Sequence, residues 1–238
     1  MRVTLVQNAP KLNRSNIDYI LGVVKEHTDS SDVIVFSELA LSGYSLQDKL
    51  HEDAWHIHEL NTLAELSMNV DIVVGAALKE GSLFRNAALY FHKGHLLSTH
   101  KKVHLPNYGM FEEARYFSAG DVFESFYVDD KKVSMLVCED LWHESVHRDL
   151  QVENPDIIYA LVASPARGFY ENGLLIQEKW YRIIQNVARE CNAKLIFVNR
   201  VGFEDGLGFW GGSCCVSADG VIHKQLELYK ESIETLTI

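Results

Sequence analysis

The hydrophobic residues of this chain follow two spacings in turn, one typical of strands and one typical of helices. A mainly apolar run at 2–7 predicts a strand, and apolar residues at helical spacing predict a helix near 14–27. A second apolar run at 33–37 predicts the next strand. Because parallel strands need a crossover connection of this length, the two strands are expected to form a parallel βαβ unit.

The same alternation continues towards the carboxyl end. The further predicted elements are a helix near 51–69, a strand at 71–77, a hairpin of 85–91 and 95–101, a strand at 132–138, a short polar helix near 143–151, a strand at 156–162, a helix at 174–191, a strand at 194–199 and a closing strand pair near 212–227. Strands that alternate with helices indicate an α/β fold with helices outside the sheets. Periodicity leaves open whether there is one sheet or two. Since no linker or repeat interrupts the pattern, we expect a single domain over 1–238.

Composition limits the partners that the protein can have. The 238 residues carry a formal net charge of −11, which argues against nucleic acid because phosphates favour a basic protein. No apolar run reaches the length of a membrane span, and residues 1–6 are expected to form a strand rather than a signal peptide. The four cysteines contain no CxxC pair, which indicates a reducing compartment. We therefore expect a cytoplasmic protein that binds neither nucleic acid nor membrane.

Cys138 stands where a predicted strand stops and charged residues begin. Residues 132–142 read Lys-Val-Ser-Met-Leu-Val-Cys-Glu-Asp-Leu-Trp, so two carboxylates follow the cysteine at once. A thiol at a strand-to-helix turn is lifted out of the core and faces backbone N–H groups, which suits a nucleophile. A buried packing residue is the alternative interpretation. That alternative fits Cys191, and it fits Cys214 and Cys215, which are adjacent and therefore face opposite sides of a strand.

Two other predicted strands also end on charged residues. Glu38 follows the second strand, where it is either a base on a pocket floor or a solvated capping group. Lys102 follows the hairpin, where it either stabilises the oxyanion formed by thiolate attack on a carbonyl or lies at a solvated edge. The next loop contains Glu112 and Glu113, one of which can pair with the lysine. The function hypothesis requires Glu38, Lys102 and Cys138 to converge.

Residues 143–147, His-Glu-Ser-Val-His, match the H-E-x-x-H pattern of zinc proteases. Two imidazoles one helical turn apart can share a metal, and the glutamate can activate water. The predicted helix here is short and polar, however, and the sequence shows no evident third ligand downstream. We therefore expect a surface helix, and a protein with neither metal nor cofactor.

In this order, Glu38, Lys102 and Cys138 resemble the Glu–Lys–Cys triad of the nitrilase (carbon–nitrogen hydrolase) superfamily. Over nearly the whole chain, ordered motifs are similar to the glutaminase domain of glutamine-dependent NAD synthetases. These motifs are Glu-Leu-Ala-Leu-Ser-Gly-Tyr at 38–44, Lys-Val-His-Leu-Pro-Asn-Tyr-Gly at 102–109, Phe-Glu-Glu-Ala-Arg-Tyr-Phe at 111–117, Cys-Glu-Asp-Leu-Trp at 138–142, Ala-Ser-Pro at 163–165, Val-Asn-Arg-Val-Gly at 198–202 and Gly-Gly-Ser at 211–213. Several such motifs in order are far more specific than any one alone.

The resemblance implies a four-layer αββα sandwich that dimerises by sheet extension into an αββα-αββα assembly. It implies catalytic roles for Glu38 as base, Lys102 as oxyanion cation, Cys138 as nucleophile and Glu113 as accessory acid, with Glu112 as the alternative for the last role. It also implies an oxyanion-hole N–H from Glu139. Four further residues are expected at the substrate: Tyr44, Tyr108, Ser164 and Phe169.

Some positions depart from the synthetase pattern. Val162 replaces a common asparagine, Trp210 stands where that subfamily often has an acid, and 167–173 is a distinctive loop expected near the pocket. The chain ends at Ile238, so we expect no ATP-binding synthetase domain on it. These differences favour another amide over glutamine.

We therefore expect an amidase, a homodimer or higher homo-oligomer, that cleaves a small linear amide or N-carbamoyl compound through a cysteine thioester, releasing ammonia or an amine. The first alternative is a glutaminase subunit that supplies ammonia to a separate synthetase partner. The second, from a different class, is a catalytically silent binding module on the same scaffold. Reactivity of the Cys138 thiol would separate the last alternative from the others.

Overall fold

The computed structural model describes residues 1–171 and 173–238. Its strands are β1 (Arg2–Gln7), β2 (Val33–Phe36), β3 (Asp71–Glu80), β4 (Leu83–His92), β5 (His95–Lys101), β6 (Phe126–Val128), β7 (Lys131–Val137), β8 (Ile157–Val162), β9 (Phe169–Tyr170), β10 (Gly173–Leu174), β11 (Lys194–Asn199), β12 (Val201–Glu204), β13 (Leu207–Trp210), β14 (Cys214–Val216), β15 (Ile222–Gln225) and β16 (Ser232–Thr237). Its α-helices are α1 (Asn16–His27), α2 (Leu50–Asp53), α3 (Asn61–Leu66), α4 (Glu113–Tyr116), α5 (Glu144–Glu153) and α6 (Leu175–Cys191). Within this part of the chain, no helix is both long and apolar enough to cross a membrane.

Two six-stranded mixed sheets form the centre of the molecule. The first has the strand order β16-β1-β2-β3-β4-β5, and the second has the order β15-β14-β11-β8-β7-β6. Strands β1, β2 and β3 are parallel, as are β7, β8 and β11. The parallel βαβ start predicted from the sequence is confirmed.

Side-chain alternation along the strands builds three apolar layers. In β1, Val3 and Leu5 pack between the two sheets, whereas Val6 packs against α1 on the outside. In β14, Cys214 faces the outer layer under α6 and Cys215 faces the layer between the sheets. Helices thus cover one face of each sheet, and the two sheets cover each other. This is the four-layer αββα sandwich that the family resemblance implies.

The predicted helix near 51–69 is the main departure from expectation. The chain there forms α2, a 3₁₀ turn and α3, because Trp55 is extended and bonds to β3. The N–H of Trp55 donates to the carbonyl of Ala77 at 2.8 Å, and the N–H of Lys79 donates to the carbonyl of Trp55 at 2.8 Å. These backbone bonds to a distant strand interrupt a segment whose periodicity is helical.

The topology brings three strand ends to one edge of the sandwich. β2 runs parallel to β1, β5 returns in the same direction after the antiparallel β4, and β7 runs parallel to β8 in the facing sheet. The residues just beyond these ends include Glu38, Lys102 and Cys138.

Candidate active site

Cys138 is the first residue of a 3₁₀ turn, 138–142, that directly follows β7. Its backbone has φ 44°, a left-handed conformation that non-glycine residues rarely adopt. The residue is partly exposed, whereas Cys191, Cys214 and Cys215 are buried. Such strained positions persist only where the surrounding structure holds them, and they cluster at functional sites.

The Asp140 carboxylate holds this turn against the segment that follows β5. Its Oδ1 accepts the N–H groups of Val103 and His104 at 3.0 and 2.9 Å. Its Oδ2 accepts a bond from His100 Nε2 at 2.8 Å and the N–H of Val137 at 3.2 Å. Burial by itself raises the pKa of Asp140, but these bonds, above all that from His100, outweigh it, so the pKa lies below its ordinary value. Sequence reasoning missed this residue, although it belongs to the Cys-Glu-Asp run.

Glu38 and Lys102 meet in a fully buried ion pair. Lys102 Nζ lies 2.7 Å from Glu38 Oε1, and neither side chain is exposed to solvent. The Asn86 amide donates to the same oxygen at 2.8 Å. Glu38 Oε2 accepts the N–H of Ala163 at 2.8 Å. Both charges are therefore compensated, as buried charges must be.

A glycine of β3 permits the turn that carries Glu38. A Cβ built on Gly75 would lie 2.4 Å from both the Leu39 nitrogen and the Ser37 carbonyl oxygen. Only a residue without a side chain allows this approach. Gly75 thus sets the position of the carboxylate from a neighbouring strand.

Glu113, rather than its neighbour Glu112, is the second carboxylate at Lys102. Lys102 Nζ lies 2.9 Å from Glu113 Oε1 and 2.8 Å from Oε2. The Tyr44 hydroxyl donates to Glu113 Oε1 at 2.6 Å. The Glu112 side chain is 63% exposed and lies 3.4 Å from Arg115.

Burial and neighbouring charges shift the pKa values of the groups in the site. Burial by itself lowers the pKa of Lys102, but Glu113 and Glu38 outweigh it and hold that pKa well above its ordinary value. Burial raises the pKa of Glu113, with Lys102 opposing. Burial and the charge of Glu38 raise the pKa of the Cys138 thiol far more than Lys102 lowers it. The thiol therefore keeps its proton at neutral pH, and attack requires a base.

A second buried ion pair supports Tyr44. Arg200 Nη1 lies 2.6 Å from Glu204 Oε2, and both side chains are almost fully buried. Glu204 Oε1 accepts the N–H of Tyr44 at 2.8 Å. The Arg200 guanidinium lies 4.2 Å from the ring centroid of Phe209. Sequence analysis did not single out this pair, although Arg200 lies within the Val-Asn-Arg-Val-Gly motif.

The other predicted substrate residues lie in different surroundings. The Tyr108 hydroxyl donates to the Glu139 carboxylate at 3.0 and 2.9 Å, and burial together with this bond raises the pKa of Tyr108 to about 12. Phe169 is 71% exposed on β9. Ser164 is buried, and its Oγ accepts a bond from Trp180 Nε1 at 2.8 Å. Its hydroxyl therefore lies in the core, so the expected contact of this side chain with substrate has no support.

The histidines of the H-E-x-x-H match are engaged in local contacts. His147 Nε2 donates to the carbonyl of Leu141 at 2.7 Å, so that nitrogen has no lone pair for a metal. His143 stacks on His104 with ring centroids 3.6 Å apart. Among residues 1–171 and 173–238, no group of three His, Cys, Asp or Glu side chains could hold a metal ion.

Two open cavities flank the cluster. One has a volume of about 300 Å³ and is lined by Tyr108, Trp142, Arg167, Gly168, Leu175, Ile176 and Lys179. The other has a volume of about 200 Å³, and its lining includes Tyr44, Glu113, Met110 and Phe111. Volumes of this size suit small ligands.

A four-layer αββα sandwich with a cysteine, a lysine and a glutamate at its strand ends, and a second glutamate against the lysine, indicates an enzyme of carbon–nitrogen chemistry. The chain belongs to the carbon–nitrogen hydrolase family, whose model matches residues 2–238.

Comparison with individual proteins identifies relatives within this family. The chain is 31% identical to the glutamine-dependent NAD(+) synthetase of Aquifex aeolicus over 94% of this chain and 39% of that protein. It is 30% identical to the enzyme of the same name from Thermotoga maritima, over 100% of this chain and 42% of that protein. The chain thus spans about two-fifths of the length of these relatives.

Solved structures show the same fold. The glutamine-dependent NAD+ synthetase of Acinetobacter baumannii superposes with a TM-score of 0.87 at 27% identity, over 98% of this chain and 44% of that one. An amidase of the nitrilase superfamily from Nesterenkonia superposes with a TM-score of 0.84 over 99% of this chain and 89% of that one. At 20% identity, the second likeness concerns the fold alone.

Proposed function

We propose that this protein hydrolyses the carbon–nitrogen bond of a small linear amide or N-carbamoyl compound through a cysteine thioester. The observation that carries the proposal is the buried Lys102 ammonium, held between Glu38 and Glu113 beside the partly exposed Cys138. A fixed cation and a carboxylate next to a protonated thiol are the groups that acyl transfer requires.

In the first half of the reaction, Glu38 takes the proton of the thiol as Cys138 attacks the amide carbonyl. Glu38 Oε2 accepts one hydrogen bond, from Ala163, within the described part of the chain, which leaves a second lone pair for this proton. Lys102 Nζ and the Glu139 N–H stabilise the oxyanion. Glu38 then returns the proton to the departing nitrogen, the carbon–nitrogen bond breaks, and ammonia or an amine leaves the thioester.

In the second half, water replaces the departed nitrogen. Glu38 takes a proton from the water as its oxygen attacks the thioester carbonyl. The tetrahedral intermediate collapses, the carbon–sulfur bond breaks, and Glu38 returns the proton to the sulfur. The acid is released and the thiol is regenerated, with no cofactor consumed.

Release of ammonia from a panel of small amides and carbamoyl compounds tests the proposal. Cys138→Ala should abolish release, and Lys102→Ala should lower kcat about 10²–10³-fold, the loss typical for one oxyanion donor. Lys101→Ala is the matched control, because that lysine points to Glu80 at 2.8 Å and is 36% exposed. Thermal unfolding of each variant checks folding. Undiminished hydrolysis by Cys138→Ala would overturn the mechanism, and so would equal alkylation rates at Cys138 and the buried Cys191.

The relatives favour one alternative, a glutaminase that passes ammonia to a separate synthetase. The relatives that the chain matches are named for glutamine dependence, and the chain covers about two-fifths of their length. Glutamine as the best substrate, with turnover that rises when a synthetase chain is added, would support this alternative over a free-standing amidase.

A further inference from the structure

Two cations line the cavity of about 300 Å³ that Tyr108 and Trp142 also line. Arg167 and Lys179 both line it, and we call it the basic cavity. Arg167 belongs to the segment 167–173, which the sequence marks as distinctive, and Lys179 lies near the start of α6. Neither residue has a role in the mechanism proposed above.

Arg167 is held in place without being neutralised. Its carbonyl accepts the N–H of Ile176 at 3.3 Å, and the carbonyl of Gly168 accepts the N–H of Leu175 at 2.9 Å, so the start of α6 fixes the backbone of Arg167 and Gly168. Its guanidinium lies 5.1 Å from the ring centroid of Phe111. Among residues 1–171 and 173–238, the buried Arg167 Nε has no hydrogen-bond partner. A buried, unmatched guanidinium N–H is costly unless a ligand completes it.

Acidic side chains do not compensate the two cations. Within the described part of the chain, no carboxylate lies within 4.0 Å of a nitrogen of Arg167 or Lys179. The Glu139 carboxylate accepts the hydroxyl of Tyr108, which lines the cavity, with both oxygens. An anion in the basic cavity would therefore meet two free cations.

Two residues connect the basic cavity with the surroundings of Cys138. Tyr108 lines the cavity, and its hydroxyl lies within electrostatic reach of both Arg167 and Cys138. Trp142 lines it as well, at the end of the turn that Cys138 begins, and both residues pack against the same apolar layer. An extended substrate with its carbonyl at the sulfur can place its far end in the cavity.

We infer that Arg167, assisted by Lys179, binds a carboxylate at the far end of the substrate, so that the preferred substrates are amides of small dicarboxylic acids. The planar guanidinium fork matches a carboxylate in two-point contact, and the lysine adds a second charge. This inference rests on the proposed amide hydrolysis and specifies its substrate class.

Three five-carbon amides that differ in their far end provide the kinetic test: glutaramate with a carboxylate, pentanamide with a methyl group and 5-aminopentanamide with an ammonium. The wild-type protein should show a kcat/KM at least 10-fold higher for glutaramate than for pentanamide, and lowest for the cation. Arg167→Met should lower kcat/KM for glutaramate about 30–100-fold, as expected for loss of a charge-assisted contact, and leave pentanamide nearly unchanged. Arg167→Lys should recover part of the loss.

Lys179→Met should show the same selective loss at smaller size. Arg182→Met is its matched control, because Arg182 lies on the exposed face of the same helix and does not line the cavity. Binding is read separately from turnover through protection of Cys138 against iodoacetamide. Glutarate should protect the wild type and Arg167→Lys, but not Arg167→Met, provided that thermal unfolding shows each variant folded.

Different results would contradict the proposed amide hydrolysis and the proposed carboxylate subsite. If no amide is hydrolysed and Cys138 forms no thioester, the proposed function is wrong. If pentanamide and glutaramate are hydrolysed equally well and Arg167→Met leaves their ratio unchanged, the carboxylate subsite is wrong while the hydrolase proposal stands.

Discussion

Adjacent residues can have opposite roles, and Glu112 and Glu113 illustrate this. The side chain of Glu113 is 7% exposed and that of Glu112 is 63% exposed. The difference arises because the N–H of Glu113 donates to the carbonyl of Pro106 at 3.1 Å and begins α4, which turns its side chain inward. Lys102 therefore has two buried carboxylates and not one.

Glu113→Gln should lower kcat/KM about 10–100-fold, because it removes one of the two charges that hold the Lys102 ammonium at the site of the oxyanion. Glu112→Gln should remain close to wild type, since its exposed pair with Arg115 contributes little. Steady-state ammonia release gives kcat/KM for both variants. Equal losses in the two would contradict the assignment of Glu113 as the positioning acid.

Gly75→Ala should reduce both stability and turnover, because its Cβ would lie 2.4 Å from the backbone of the turn that carries Glu38. We expect a loss of more than about 1 kcal/mol in the free energy of unfolding, as for other overpacking substitutions. Gly22→Ala is the control, since a Cβ on Gly22, in α1, meets nothing within 4 Å. That variant should gain about 0.5–1 kcal/mol with unchanged activity. Urea unfolding compares the two, and a harmless Gly75→Ala would mean that the turn is not held by close contact.

At the scale of elements, the site depends on a junction between the end of β7 and the segment after β5. Asp140 makes this junction through bonds from both sides, and its side chain is fully buried. The junction places Cys138 and Lys102 at a constant separation although they belong to different sheets. Strand ends alone would bring the two residues to one edge but not to one geometry.

Asp140→Asn should destabilise the fold by about 2–4 kcal/mol at neutral pH. The NH₂ group of the new side chain would face N–H donors that now bond to a carboxylate oxygen. The pKa of Asp140 is lower in the folded state than in the unfolded chain. Its ionised form therefore contributes stability that is fully present above the unfolded value of about 3.9 and is lost as the pH falls through the folded pKa. The difference in unfolding free energy between wild type and variant should shrink below about pH 4. A constant difference from pH 7 to pH 3 would contradict this.

At the scale of the whole molecule, the homodimer stays a prediction. The resemblance to nitrilases implies a dimer by sheet extension, and sedimentation velocity measures it directly. A single species of twice the chain mass across dilution is the expected result. A monomer at all concentrations would contradict the prediction.

Local patterns predicted most of the architecture. The strands at 2–7 and 194–199 and the helix at 174–191 lie within a residue or so of their predicted positions, because their apolar periodicity coincides with tertiary burial. Backbone hydrogen bonding between distant segments was not predicted. β16 bonds along the whole of β1 from the other end of the chain, and Trp55 breaks a helical pattern by pairing with β3.

The order of apolar runs was enough to establish the α/β class, and the charged residues that end three of those runs indicated the chemistry, because both are properties of short segments. The contact of Glu113 with Lys102, the junction at Asp140 and the orientation of Arg167 towards a cavity depended on the folded chain. Each of these is a relation between segments far apart in sequence, and burial, hydrogen-bond geometry and electric field arise only once those segments have packed together.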